Sequence, residues 1–348
     1  MKIVIVGGGI IGAALAHKVS GAGADVTVFE GAPGATPASF GWVNASFFLT
    51  PDHFALRAAG IAAWRRLGGH VAWTGCLSWE EEGVALDAQR DRLAALGYEV
   101  EDVDAARFAA PEPHVAPPAR AVRFAQEGVA APAQTLAGLL SGVRRVTGVQ
   151  VTGLRARAGN ITGIDTALGP VAADRVIVAA GTGSPAVLAT VGVDLPMSKR
   201  PGLMLRTAPV AAILRHVLVA PDQELRQDDR GHIWAPASAS HQGDDATTVS
   251  RAPDLLADAA RARLSAMLAD HDLAWDRVMM AQRPMPQDGL PVIGPCGPEG
   301  LHVAVMHSGI TLAAITAELV SAQVLGRPLS NTQATLVAPF TPLRFQSG

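Results

Sequence analysis

The pattern Gly7-x-Gly9-x-x-Gly12 constrains the fold of this chain more than any other feature of its sequence. Residues 2–6 read KIVIV, a short apolar run typical of a buried parallel strand, and the glycines follow it directly. Glycines at this spacing permit a tight turn, a close approach of the backbone to a pyrophosphate and close packing of a helix on a strand. The pattern therefore predicts a strand–turn–helix that binds a dinucleotide.

The residues that follow complete a βαβ unit. Residues 10–22 read as a helix, so the backbone N–H groups of Ile10 and Ile11 lie where they can face a phosphate. Residues 26–30 read as a second strand that ends in Glu30, whose carboxylate can accept hydrogen bonds from ribose hydroxyls and would repel a 2′-phosphate. FAD and NAD both fit this pattern.

The length and the order of elements predict two domains. At ~150 residues per domain, 348 residues suggest about two. The βα signals sit at both ends and in the middle of the chain, so we expect a nucleotide-binding domain interrupted by a second domain. Further helices are predicted over residues 51–67, 84–96, 132–140, 253–271 and 311–325, and further strands over 98–103, 149–157, 161–166, 175–180, 203–207, 215–220, 230–235 and 301–306.

Composition excludes several classes of protein. The net charge of −3 does not indicate a protein that binds nucleic acid or an anionic membrane. No signal peptide or membrane-spanning helix is predicted, and Cys76 and Cys296 are expected to be free thiols, so we expect a cytoplasmic protein. The histidines show no metal-ligand spacing, and no metal is predicted.

Three segments of the second half carry a resemblance to a known family. Residues 283–294 read RPMPQDGLPVIG, residues 301–317 read LHVAVMHSGITLAAITA, and residues 173–181 read ADRVIVAAG. Together with the opening glycines and the tail PFTPLRF, they resemble the D-amino acid oxidase/glycine oxidase/sarcosine oxidase family of FAD-dependent amine oxidoreductases. The resemblance covers most of the chain.

The sequence also departs from the family pattern. The tryptophan that the family commonly has after the AAG strand is Gly183 here, and residues 39–44 are a variant of the flavin-facing segment. His307-Ser308-Gly309 is followed by a loop about two residues shorter than the common form. The edge of the flavin site is therefore expected to differ in shape.

The resemblance implies a fold and a cofactor. It implies an α/β (α+β overall) protein, with a Rossmann-like FAD-binding domain interrupted by a mixed-sheet substrate domain, as in glycine oxidase. The FAD-binding domain would comprise residues 1–50, 128–200 and 285–348, and the substrate domain residues 51–127 and 201–284. Non-covalent FAD is expected to contact Gly7, Gly9, Ile10, Ile11, Gly12, Glu30, Ser39, Asn44, Val151, Ala180, Gly181, Gly309, Ile310, Thr311 and Leu312.

The resemblance also implies a reaction. A hydride would pass from the α-carbon of an amino acid to flavin N5, and the imine would be hydrolysed to an oxo acid. Arg283 occupies the position of the family's carboxylate-binding arginine, and its planar guanidinium suits a bidentate clamp. His307 can contact flavin or substrate, although a buried structural histidine is an equal alternative; His53 is expected to be an exposed residue at a helix start.

Two alternatives stay open beside an oxidase. The sarcosine oxidase relatives use a lysine to activate oxygen, and residues 230–245 contain none. This favours a flavin dehydrogenase subunit that passes electrons to a partner. A catalytically silent FAD-binding protein is the second alternative. The expected partners are an amino acid or amine substrate, with a possible electron acceptor or a second copy of the chain.

Overall fold

The computed structural model describes residues 1–238, 246–249, 251–268 and 271–345. The helices are α1 (Ile10–Gly21), α2 (Pro51–Leu67), α3 (Gly83–Ala95), α4 (Ala105–Ala109), α5 (Pro132–Leu139), α6 (Ser184–Ala189), α7 (Pro253–Met267), α8 (Gly309–Val324) and α9 (Asn331–Val337). The first strands are β1 (Lys2–Val6), β2 (Asp25–Glu30), β3 (Trp42–Val43), β4 (Val71–Ala72), β5 (Cys76–Ser78), β6 (Glu101–Asp104), β7 (Arg120–Phe124), β8 (Gly128–Ala130), β9 (Arg144–Thr147), β10 (Val151–Arg157) and β11 (Asn160–Thr166). The remaining strands are β12 (Gly169–Ala172), β13 (Arg175–Val178), β14 (Met197–Ser198), β15 (Pro201–Thr207), β16 (Val217–Val219), β17 (Glu224–Gln227), β18 (Ile233–Pro236), β19 (Trp275–Gln282), β20 (Met285–Pro286), β21 (Val292–Pro295) and β22 (Leu301–Val305).

A six-stranded sheet in the order β21-β22-β13-β1-β2-β9 carries the glycine motif. Its β1 lies between β2 and β13, parallel to both, and only β21 runs antiparallel to its neighbour. Ile3 and Ile5 pack with α1 and α8 on one face, whereas Val4 and Val6 pack against the β10–β12 sheet on the other. Because both faces are covered, β1 is a continuous apolar run.

An eight-stranded mixed sheet has the order β19-β15-β18-β17-β16-β5-β7-β6. One face packs against α7, as the clusters that join Leu225 to Leu264 and Leu205 to Ala260 show. Met204 and Trp234 point to the other face and join the core cluster that contains α2 and α8. This second face is directed toward the glycine-motif side of the molecule.

The chain crosses between the two sheets at two adjacent points. The strands β14 and β20 pair antiparallel there, with Met197 opposite Pro286. Helix α2, placed by the sequence in the substrate domain, packs against α8. The domain limits at residues 50, 127, 200 and 284 remain predictions.

Most predicted elements form, but twelve strands of the described residues were missed, and all of them except β19 are two to five residues long: β3, β4, β5, β7, β8, β9, β12, β14, β17, β19, β20 and β21. The helices predicted over 51–67, 84–96 and 311–325 form within two residues of those limits, and residues 269–270 of the helix predicted over 253–271 lie outside the described residues. Because β19 is an edge strand with mostly exposed side chains, it lacks a clear apolar alternation. Within the described part of the chain, no helix is long and apolar enough to span a bilayer.

We predict that Gly60→Ala destabilises the protein. A Cβ at this position in α2 would lie 2.6 Å from the Thr311 carbonyl oxygen of α8, and such overpacking costs ~1–3 kcal/mol. The control is Gly21→Ala in α1, where a Cβ meets nothing within 4 Å and a gain of up to ~1 kcal/mol is expected. Urea midpoints measure both variants, and equal midpoints for the two would contradict the predicted contact.

Candidate functional site

The glycine motif leaves no room for side chains where β1 meets α1. Gly7 has φ +112°, and a Cβ there would overlap the Ala179 carbonyl at the end of β13. A Cβ on Gly12 would overlap the Gly7 carbonyl oxygen. Ala180 therefore lies directly beside the turn. The ends of β1 and β13, each followed by predicted cofactor-binding residues, meet at one edge of the sheet.

Two helix N-termini meet at this edge. The position of a Cβ on Gly309, the first residue of α8, is 3.6 Å from Ile11 and 3.7 Å from Ile10 at the start of α1. The Ile10 N–H donates to Thr36 Oγ1 at 3.0 Å, so Thr36 is part of this environment although the sequence did not single it out. The positive ends of two helix dipoles thus face one region, which favours an anionic ligand.

Glu30 extends across the glycine turn. A Cβ on Gly8 would overlap its Oε2, while Arg145 Nε of β9 donates to its Oε1 at 3.0 Å. Arg145 therefore fixes the orientation of the carboxylate. The loop before Val151 lies alongside, because Gln150 Cα is 3.7 Å from the Cβ position of Gly31.

The flavin-facing segment predicted from residues 39–44 is attached to α8. The Asn44 N–H donates to Thr311 Oγ1 at 3.2 Å, and the Thr311 hydroxyl donates to the Trp42 carbonyl at 3.2 Å. The Ser39 hydroxyl accepts from the Gly41 N–H. Ile310 is held through its carbonyl, which accepts from Trp64 Nε1 at 2.8 Å. The predicted residues of this segment and of the start of α8 thus form one hydrogen-bonded unit.

A buried arginine of α2 supports this unit. Arg57 donates through Nε to the Asn44 carbonyl, through Nη2 to Asn44 Oδ1 and through Nη1 to Ser308 Oγ at 2.6 Å. Its side chain is 1% exposed, and burial lowers its pKa to about 10. Ser308 has φ +57°, a left-handed conformation uncommon for serine, and this hydrogen bond helps to hold it.

A buried carboxylate supports the same segment from the opposite side. Glu127 accepts from Trp42 Nε1 at 2.9 Å, from the Tyr98 hydroxyl at 2.8 Å and from the backbone N–H groups of Ala45 and Ser46. Burial raises its pKa to about 7, although the hydrogen bonds from Tyr98, Ala45 and Ser46 favour the ionised form. Tyr98, the one tyrosine of the sequence, therefore has a structural partner.

Arg283 lies where the chain passes from β19 to β20. Its Nε is 2.8 Å from the position that a Cβ on Gly202 would take, so the guanidinium occupies the space left by that glycine. The next residue, Pro284, is 3.7 Å from the Cβ position of Gly181. The structure thus brings the predicted carboxylate-binding arginine next to the loop that contains Ala180 and Gly181.

The two candidate histidines have different surroundings. His307 follows β22 and is half-buried, with Nδ1 3.4 Å from Ser308 Oγ. The expectation that His53 is exposed was wrong. It is 5% exposed, its Nδ1 accepts from the Leu49 N–H, and burial lowers its pKa to about 3. Thr50 provides the cap at the start of α2, and the ring packs into the protein instead of pointing outward.

Three residues that support the candidate site through hydrogen bonds were not predicted from the sequence. Thr36, Arg57 and Glu127 belong to no predicted motif, and each is hydrogen-bonded to a predicted segment from another part of the chain. A signal existed for Arg57, since it lies on the apolar side of a predicted helix, where a charge must be paired.

Comparison with known proteins identifies the family. The sequence profile of DAO, the FAD dependent oxidoreductase family, matches residues 2–323. The chain belongs to this family. The predicted cofactor, FAD, and the resemblance stated from the sequence are thereby confirmed.

Relatives within this FAD-dependent family include two kinds of curated enzyme. A glycine oxidase of Pseudomonas putida is 31% identical over 49% of this chain and 47% of its own length. A D-amino acid dehydrogenase of Cereibacter sphaeroides is 32% identical over 56% of this chain and 45% of its own length. Each of these alignments therefore spans about half of the relative.

A solved structure confirms the predicted fold class. The crystal structure of glycine oxidase from Geobacillus kaustophilus superposes with a TM-score of 0.83, at 22% identity over 98% of both chains. The chain therefore has the mixed α/β fold of the FAD-dependent family.

The residues present fit the family's cofactor. The turn at Gly7 and Gly12 is free of side chains, and two helix N-termini face it. Asn44 Nδ2 is buried and lacks a hydrogen-bond partner among the described residues, although it lies in the flavin-facing segment. Since buried donors are nearly always paired, this amide is available to a carbonyl group of the cofactor.

We predict that Glu127 gives stability a distinctive pH dependence. Because its folded pKa is raised from 4.5 to about 7, its contribution is fully present below pH ~4.5 and is lost as the pH rises to about 7. At ~1.4 kcal/mol per pKa unit, the loss amounts to ~3 kcal/mol. The measurement is the unfolding free energy at fixed FAD saturation from pH 4.5 to 8, for wild type and for Glu127→Gln.

The difference between the two proteins isolates this contribution. His53 and His302 have lowered pKa values, so their contributions grow with pH, but they are common to both proteins. The stability of wild type minus that of Glu127→Gln should fall as the pH rises. If this difference does not change with pH, Glu127 has the same pKa in the folded and the unfolded protein.

Proposed function

We propose that this protein oxidises the C–N bond of an amino acid with FAD as the oxidant. The observation that carries the proposal is the placement of Arg283. Its guanidinium lies over Gly202, and the next residue, Pro284, packs beside Gly181 at the edge of the sheet where FAD is expected. A planar guanidinium there can bind a carboxylate through two parallel hydrogen bonds.

The proposed reaction is a two-electron oxidation followed by hydrolysis. FAD supplies the chemistry by accepting a hydride from the α-carbon, and the amine loses a proton as the C=N bond forms. Water then converts the imino acid to an oxo acid and releases ammonia or an amine. The protein's own contribution is to hold the substrate carboxylate at Arg283 and to direct the N-terminus of α8 toward developing negative charge on the acceptor.

The relatives support an amino acid as the substrate class. The curated matches are named glycine oxidase and D-amino acid dehydrogenase. His307, which follows β22, carries an imidazole that can accept a proton from the amine and so keep the amine neutral. We assign it this role as part of the proposal, together with the FAD contacts predicted above.

A dehydrogenase that passes electrons to a partner is the second candidate. The sequence has no lysine between residues 230 and 245, where sarcosine oxidase relatives carry the one that activates oxygen; residues 239–245 lie outside the described residues. An electron acceptor or a second copy of the chain is then a possible partner. Both cysteines are buried free thiols, in keeping with the cytoplasm as the proposed location and with non-covalent FAD.

The first test is anaerobic reduction of the FAD-loaded protein. We expect the visible flavin band to bleach with one member of a panel containing glycine, sarcosine, proline and D- and L-amino acids. Arg283→Ala should raise the apparent Kd of that substrate ~10–100-fold, the cost of losing a charge-assisted pair. Arg277→Ala, an exposed arginine of β19, is the control. If the protein binds FAD but no amino acid of the panel reduces it, the proposal is wrong.

A second variant tests the placement of Arg283 without removing it. Gly202→Ala puts a methyl group into the space of the guanidinium, 2.8 Å from Nε. Substrate affinity should fall at least several-fold while FAD binding stays as in wild type. An unchanged Kd would show that the carboxylate is bound elsewhere.

Oxygen consumption separates the two candidates. If the protein is a dehydrogenase, its substrate-reduced flavin is reoxidised slowly in air-saturated buffer and rapidly by an artificial acceptor such as a phenazine dye. Reoxidation by oxygen on the timescale of reduction would identify an oxidase.

A further inference from the structure

Two histidines from distant parts of the chain meet on the α7 side of the eight-stranded sheet. His114 lies in the loop between α4 and β7, and His271 follows the end of α7. They are 157 residues apart in the sequence, yet His271 Nε2 is 3.2 Å from His114 Nδ1. The ring centres are 5.0 Å apart, and the ring planes make an angle of 70°. The pair forms only in the folded chain, so the spacing of histidines along the sequence does not predict it.

The distances between the two rings match those of two imidazoles bound to one metal ion. Two imidazole nitrogens that each lie ~2.05 Å from a tetrahedral Zn²⁺ are ~3.3 Å from each other, and their ring centres are ~5 Å apart. In a straight N–H···N hydrogen bond of the observed length, the ring centres would be ~5.5 Å apart. The observed separation of 5.0 Å is the shorter one. The two rings are therefore tilted as they are when both nitrogens bind one ion.

The loop that carries His114 is anchored to the protein interior. Glu112 is fully buried, and its carboxylate accepts from the backbone N–H groups of Arg215 at 3.1 Å and of His216 at 2.9 Å. The same carboxylate is 2.7 Å from His216 Nδ1. Val115, the residue after His114, is buried in the apolar cluster that packs against α7. His114 is therefore held between two anchored positions while its own side chain is exposed.

The segment that carries His271 is anchored in the same apolar cluster. Leu268 and Leu273 are both buried, and they belong to the cluster that contains Val115. The His271 N–H donates to the Leu268 carbonyl at 2.9 Å. Because buried neighbours fix the backbone near each histidine, mainly side-chain torsions have to be ordered when the two rings bind one ion. The entropic cost of binding is correspondingly small.

The available ligands determine the class of ion. Imidazole nitrogens suit Zn²⁺, Ni²⁺ and Cu²⁺, whereas Mg²⁺ and Ca²⁺ take oxygen ligands. Within the described part of the chain, no group of three or more His, Cys, Asp or Glu side chains could hold a metal ion. Two histidine nitrogens and water molecules therefore make up the coordination sphere. With nitrogen and water ligands alone, affinity should follow the intrinsic order of the ions, with Cu²⁺ above Ni²⁺ and Zn²⁺.

We propose that His114 and His271 form a binding site for a divalent transition-metal ion such as Zn²⁺. The ion takes the place of the hydrogen bond between the rings and links the loop before β7 to the end of α7. The cluster that anchors both histidines lies on the α7 face of the eight-stranded sheet, whereas α2 and α8 belong to the cluster of the other face. The metal site is therefore separate from the candidate oxidation site and goes beyond the proposed function. Its effect is to stabilise the α7 side of the protein.

The test is isothermal titration calorimetry of the untagged, FAD-loaded protein with Zn²⁺, Ni²⁺ and Cu²⁺, and with Mg²⁺ as the negative control. Wild type should bind each transition-metal ion and should not bind Mg²⁺. His114→Ala and His271→Ala should each weaken Zn²⁺ binding ~10-fold or more, because the first nitrogen places the ion at a high effective concentration for the second. His17→Ala, which removes a half-buried histidine of α1, is the matched control and should bind Zn²⁺ as wild type does.

Thermal unfolding gives a second readout. Zn²⁺ should raise the unfolding midpoint of wild type and of His17→Ala, but not that of the double variant His114→Ala with His271→Ala. If Zn²⁺ does not bind wild type, the two histidines form a hydrogen bond only and the proposal is wrong. Binding that survives in both single variants, or that is lost in His17→Ala, would place the ion elsewhere and also overturn it. Flavin reduction by amino acids is measured separately, so the two proposals can fail independently.

Discussion

Two buried polar side chains, an arginine and a glutamate, hold the segment around which the candidate site is built. Arg57 of α2 binds Asn44 and Ser308 from one side, and Glu127 binds Trp42, Ala45 and Ser46 from the other. Removing either side chain would leave several buried donors or acceptors of the segment without a partner, which is costly. The path of the segment is therefore set by hydrogen bonds as much as by apolar packing. The hydrogen bonds from Thr311 then tie this path to the start of α8.

The same arrangement relates the two sheets. The six-stranded sheet supplies the glycine turn and the ends of β13 and β22, where the chain must be free of side chains. The eight-stranded sheet contributes arginine side chains on the face that is directed toward this edge. The segment at residues 40–46 lies between them and contacts both, through Arg226 on one side and Thr311 on the other. A small shift of this segment would change the cofactor environment and the substrate side together.

Local sequence patterns predicted the nucleotide-binding part well because its constraints are local. The run KIVIV, the glycines after it and the acid at the end of β2 each report on neighbours a few residues away. The supporting side chains could not be found in this way. Arg57 and Ser308 are 251 residues apart, and Trp42 and Glu127 are 85 apart, so only the folded chain shows that they meet.

β19 was missed for a different reason, because the side chains of an exposed edge strand need not alternate between apolar and polar. The exposed position expected for His53 failed because Leu49 and Thr50 turn the start of α2 inward.

The order of strands in the six-stranded sheet has a consequence for synthesis on the ribosome. β1 is made before its neighbour β13, which begins at Arg175, and the next strand, β22, begins only at Leu301. The N-terminus of α8, which lies beside the glycine turn, follows at Gly309. The apolar strand before the glycine turn therefore stays only partly covered until the chain has been made beyond Gly309. Contacts of such long sequence separation form slowly, and apolar surface that stays exposed in the meantime is where aggregation starts.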